Sequence, residues 1–217
     1  MAKELKVADH SHPAAYWEGG NYELNLSFDT LRDRQWQHVM ETIWEHPYIY
    51  GPLIERYTPG SNVPPQAAIQ TPPPTATMTQ HGQMKIDEAV IGCDILATRS
   101  LFECLSVLIP VGMFDNLVGS SDMGSQSAEL QALNSVLYDL ALRVYDVAPF
   151  KIAAIGYERG CQLPAELRSN ADLCKTFVEA GNALVHDEVL RTINLTPDPL
   201  EQVRAHLRWL APQQTIT

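Results

Sequence analysis

The feature that most constrains this chain is a pattern that occurs twice: an amphipathic helical stretch stopped by a proline, then an aromatic residue, an apolar run and a Glu-Arg pair. The two copies read WEHPYIYGPLIERY and YDVAPFKIAAIGYER, in register to within one residue. Proline lacks an amide donor and restricts the residue before it, so a helix cannot run through Pro47 or Pro149. The chain must therefore leave each helix there and continue in another conformation.

The segments around these stops have clear periods. Tyr22, Leu24, Leu26 and Phe28 alternate with Glu23, Asn25 and Ser27, the two-residue repeat of a strand with one wet face. Asp29 or Thr30 is placed to cap the helix that follows, over 31–46, whose apolar stripe is Trp36, Val39, Met40, Ile43 and Trp44. Tyr48 to Ile54 then predicts a second strand. In the other half, 89–97 and 102–111 predict two strands. Leu130, Leu133, Leu137, Leu140, Ala141 and Val144 mark a helix over 127–146, and Phe150 to Tyr157 predicts a closing strand. Two strand-helix-strand units of this kind have the layout of an α+β, ferredoxin-like duplicated sandwich, with helices on one face of an antiparallel sheet.

The remainder divides into an N-terminal arm, a connector and a C-terminal appendage. Residues 1–20 lack periodicity and are expected to form a mobile arm before a body over 21–160. Within that body, 59–80 reads as a connector, because six of the chain's fifteen prolines fall between Pro59 and Pro74. Beyond it, 161–217 predicts a helical appendage packed on the same domain. One helix is expected over 164–185. A second starts at Thr196-Pro197, carries Leu200, Val203, Leu207 and Leu210, and stops at Pro212.

Composition excludes several classes. A formal charge of −11 repels nucleic-acid backbones and anionic lipid headgroups, so neither nucleic acid nor membrane is an expected partner. No run of about 18 apolar residues occurs, and the first fifteen residues do not have the layout of a secretory signal. Cys93, Cys104, Cys161 and Cys174 form no CxxC pair, so four reduced thiols in a cytoplasmic protein are expected.

Each chemical signal has a plainer counterpart. His10 and His12, with Asp9 and His81, have the donor types of a metal site, yet two histidines near a terminus are by default solvated, and no metal or cofactor is expected. His38, Glu41 and Glu45 share a helical face that also serves as the wet side of an amphipathic helix. The loop Gly119 to Ser127 precedes a helix, but it lacks a phosphate-binding fingerprint and has Asp115 and Asp122 nearby. Cys161, beside Arg159 and Gly160, is the least inert thiol.

Glu55-Arg56 and Glu158-Arg159 end the corresponding strands of the two halves and are expected to meet as register-fixing ion pairs. If a cleft separates them, Arg56 and Arg159 would hold an anionic ligand, with Tyr48, Tyr50 and Tyr157 lining the pocket. Aromatic enrichment in the first half instead favours a protein interface. The functional expectation is an accessory or regulatory protein acting on a protein partner or on itself as a homo-oligomer. The alternative is a small-ligand-binding protein or enzyme with a pocket between sheet and helices.

Overall fold

The computed structural model describes residues 19–56, 65–86, 89–99, 102–112, 128–197 and 200–211. They form nine strands and five helices. The strands are β1 (Asn21–Phe28), β2 (Ile49–Leu53), β3 (Thr77–Ile86), β4 (Ala89–Arg99), β5 (Glu103–Pro110), β6 (Ile152–Tyr157), β7 (Ala183–His186), β8 (Glu201–Arg204) and β9 (Leu207–Leu210). The helices are α1 (Asp33–Trp44), α2 (Ala128–Val147), α3 (Pro164–Ser169), α4 (Ala171–Ala180) and α5 (Asp187–Thr192). All nine strands join one sheet in the order β2-β3-β4-β5-β1-β6-β7-β9-β8, and every neighbouring pair is antiparallel.

The alternation read in β1 sorts its side chains as expected: Leu24, Leu26 and Phe28 enter the main core, and Asn25 and Ser27 face the other way. All five stripe residues of α1 are buried. The helix begins later than Asp29 or Thr30 would place it, because Arg32 is the N-cap and its backbone N–H donates to Gln35 Oε1 at 3.0 Å. Asp33, in the first turn, lies at the positive end of the helix. α2 buries Leu133, Leu137, Leu140, Ala141 and Val144 against the same sheet face and ends short of Pro149.

β6 is apolar on both sides because it is covered on both sides. Ala153 and Ile155 join the main core under α1 and α2. Ile152 and Ala154 join a second core with Leu167, Phe177, Ala183, Val185 and Leu190, under α3, α4 and α5.

The sheet departs from a ferredoxin-like duplication in size and in the lengths of its crossovers. From β1 to β2 the chain passes three strands, β5, β4 and β3, whereas from β5 to β6 it passes only β1. The extra pair β3 and β4 makes the difference. Part of β3 lies in the segment read as connector, because its inward side chains (Met78, Gln80, Gly82) are too mixed to show a strand's alternation.

The C-terminal region is not all helical. The span 164–185 breaks at Asn170, whose side chain accepts from Leu173 N at 3.0 Å and so caps α4. Gly181, at φ 57, ends α4, and the chain then enters β7. Residues 196–212 were expected as a helix, but Glu201–Arg204 and Leu207–Leu210 form the β8-β9 hairpin. Val203, Leu207 and Leu210 fit a helical spacing, yet β7 offers an open ladder that β9 completes from Ala183↔Leu210 to His186↔Leu207. Among the described residues, no helix is long and apolar enough to cross a membrane.

Candidate functional site

The second core is confined to the β6 end of the sheet. Over β3, β4, β5 and β1, the face turned away from α1 and α2 carries polar side chains, several of them buried: Gln83, Asp94, Ser106, Asn25 and Ser27. Buried polar groups need partners, and most of these find them across the strands. Ser106 Oγ donates to Asn25 Oδ1, its register partner on β1. Asn25 Nδ2 donates to Glu23 Oε2 at 2.7 Å, and Ser27 Oγ donates to the Gln162 carbonyl at 2.6 Å.

At the β2 end, Asp94 on β4 stands opposite His81 on β3. Its two oxygens are divided between His81 Nδ1 at 2.8 Å and Arg56 Nη2 at 2.7 Å. A carboxylate held this way orients the imidazole and leaves Nε2 as the ring's other polar atom. Gln83, two residues along β3 on the same face, is 1% exposed, and its Nε2 has no hydrogen-bond partner.

Tyr50 is half-buried opposite Gln83, and Tyr48 stands 49% exposed just before β2. At the other end of this run of strands, Tyr157 closes β6 and is 53% exposed, with Arg159 two residues on. Four strands separate β2 from β6. At about 4.8 Å per spacing this is about 24 Å, so Arg56 and Tyr50 lie at the β2 end, Arg159 and Tyr157 at the end of β6, and the two arginines do not meet in one pocket. Arg56 pairs with Asp94 across the sheet.

The thiols depart from the expectation of four reduced cysteines. Cys104, on the polar face of β5, is bonded to Cys161, on the loop after β6, with Cα atoms 6.4 Å apart. That separation is ordinary for a disulfide. The partners are 57 residues apart in sequence, and only the crossing of this loop over β1 brings them together. Cys93 and Cys174 are free, and burial pushes the Cys93 thiol far up.

His38 and Glu45 are exposed on the wet side of α1, as the plainer reading has it, and among the described residues no His, Cys, Asp and Glu cluster has the form of a metal site. His10, His12, Asp9 and the loop Gly119 to Ser127 lie outside the described residues.

Two polar centres escaped the sequence reading. His46 is buried behind α1, accepts from Tyr48 N at 3.3 Å through Nδ1, and has Nε2 3.1 Å from Asp139 on α2. Burial lowers its pKa, and the neighbouring Asp139 opposes that shift. Glu103, at the start of β5, accepts from Leu31 N at 2.7 Å and from Trp36 Nε1 at 2.8 Å. The local pattern gives no signal for either centre, since Asp139 lies 93 positions from His46, and Leu31 and Trp36 lie 72 and 67 positions from Glu103.

These features define a mixed α+β protein on a nine-stranded antiparallel sheet, with α1 and α2 over one face, and on the other a polar, hydrogen-bonded strip beside the part covered by α3, α4 and α5. Comparison of the chain with protein-family models, with curated proteins and with solved structures finds no match.

Proposed function

We propose that this is an accessory or regulatory protein that acts by binding another protein chain along the β2 flank of its sheet. The observation that supports the reading is that three of the six exposed large apolar side chains among the described residues, Tyr48, Ile54 and Ile69, fall on this flank; Phe102, Val147 and Tyr157 lie elsewhere. Tyr48 and Ile54 bracket β2 and are 49% and 57% exposed, and Ile69 is exposed on the segment that runs beside it. Aromatic and aliphatic groups left in water beside a charged cluster such as Arg56, Asp94 and His81 have the composition of an interface core with a polar rim.

Backbone pairing along the edge is not the favoured mode. Residues 65–67 already lie along β2, through Ile54 N to Pro65 O at 3.2 Å and Ala67 N to Pro52 O at 2.8 Å, and β8 at the other edge is short and charged. Side-chain docking on the flank is the proposed mode. A net charge of −11 slows the approach of a second copy and speeds that of a basic partner, so a basic protein is proposed ahead of self-assembly.

Two finer readings belong with this proposal. The units β1-α1-β2 and β5-α2-β6 are proposed to be halves of a ferredoxin-like duplication enlarged by β3 and β4. A cytoplasmic setting is also proposed, against which the Cys104–Cys161 bond weighs, because a reducing cytoplasm disfavours such bonds.

Photocrosslinking from position 48 in cells that express the protein tests the reading. A discrete adduct, lost in Ile54→Asp and identified by mass spectrometry as a basic protein, supports it. An adduct between two copies, together with a doubled mass in light scattering, moves the reading to self-assembly. The absence of any discrete adduct at positions 48 and 69 overturns it.

A further inference from the structure

Arg159 is held more firmly than an ordinary surface arginine. Its stem lies against the bare backbone of Gly156, where an added Cβ would come within 3.1 Å of Arg159 Cγ, and its guanidinium carbon stands 5.7 Å from the centre of the Phe177 ring. Its carbonyl accepts from Gln162 Nε2 at 2.7 Å, the next residue's N–H donates to Glu23 Oε2 at 3.0 Å, and Cys161 is bonded to Cys104. On the other side of the residue the Glu158 N–H donates to the Asn21 carbonyl at 2.9 Å, so the loop is fixed to β1 before Arg159 and to β1 and β5 after it.

Among the described residues the charge so positioned has no counterpart. Arg159 Nη2 is buried without a hydrogen-bond partner, and no carboxylate pairs with this guanidinium among the described residues. Glu23 is engaged elsewhere, by Asn25 and by Gly160. Burial acts to lower the Arg159 pKa, the mark of a cation removed from water. A guanidinium stays charged and presents five donors, so a partly desolvated one without an anion is costly, and such an orphan in a rigid setting calls for a missing partner.

We propose that Arg159 is the anchoring cation of a binding site for an oxyanion, the carboxylate or phosphate group of a small ligand, at the end of β6 beside Gly156 and Phe177. The planar fork of the guanidinium suits two oxygens of either group. The site lies four strands from the β2 flank and does not depend on the partner-binding reading.

Thermal melts at constant ionic strength, with chloride replaced by phosphate or by citrate, test the site. The fitting anion raises Tm by about 3–6 °C at about ten times its dissociation constant, and phosphate alone or citrate alone names the group. Arg159→Met keeps an unbranched stem over Gly156, loses the anion-dependent rise, and melts higher than the wild type in chloride because an unpaired buried charge is gone. If that variant does not fold, Arg159→Lys keeps the charge without the fork and binds about tenfold more weakly. The proposal falls if neither anion shifts the wild type beyond chloride, or if the variant that folds responds as the wild type does.

Discussion

Replacing Glu103 separates the role of an acceptor from the role of a charge. Both bonds it receives, from the Leu31 amide and from the Trp36 indole, end on the same oxygen, Oε2, in a buried position between β5 and the start of α1. In Glu103→Ala both donors stay buried with no acceptor. At about 1–3 kcal/mol for each orphaned group the loss is about 4 kcal/mol. For a chain of this length that is a fall in Tm of about 8–16 °C. Glu103→Gln can place its carbonyl oxygen where Oε2 stands and keep both bonds. It surrenders only the charge, which the Arg99 guanidinium meets at the longer distance of 3.8 Å, so the expected cost is about 1 kcal/mol. Urea titration followed by tryptophan emission reads both quantities, and Trp36 is itself one of the donors. If Glu103→Ala unfolds within about 1 kcal/mol of the wild type, or if Glu103→Gln is as damaging as alanine, then Glu103 is not the acceptor that holds α1 to the sheet.

Two further perturbations follow from the same contacts. Reduction, or Cys161→Ser, opens a closure of 57 residues, for which the chain-entropy relation gives about 4 kcal/mol; denaturation curves with and without reductant that differ by less than about 1 kcal/mol would refute the bond's contribution. His46 has a folded-state pKa below its ordinary value because it is buried, so the unfolded chain takes up the proton first as pH falls. Stability should be full above about pH 6.5 and decline as pH drops from there through the folded-state value, with the slope reduced in His46→Gln; Tm values that hold steady or rise between pH 7 and pH 5 would contradict the burial argument.

The parts of this fold that were legible in the sequence are those whose chemistry repeats at short range. Leu24, Leu26 and Phe28 announce β1, and the stripe from Trp36 to Trp44 announces α1. Pro47 and Pro149 mark where helices must stop. β3 was not legible, because the side chains it turns toward the helices include Gln80 and Gly82, and Gln80 is accommodated by the Trp44 indole, which donates to its Oε1 at 3.0 Å, and by the Ala68 carbonyl, to which its Nε2 donates at 3.3 Å. Nor could residues 200–210 be read correctly from their own pattern, since their apolar spacing suits a helix and a hairpin alike.

The candidate sites divide in the same way. Arg56, Arg159 and the three tyrosines could be named from their positions after proline-terminated helices, but the sequence does not say what each meets. Strand register gave Asp94 to His81, the loop after β2 brought Arg56 to it, and Arg159 on the far side of β1 meets no acid among the described residues. The sequence alone determined which segments could hide an apolar face, because burial follows from local periods of two and 3.6 residues. Tertiary structure alone decided the order of the strands, the Cys104–Cys161 bond and the partners of Asp94 and of Glu103 Oε2, because those depend on contacts between residues distant in the chain, where local preference carries no information.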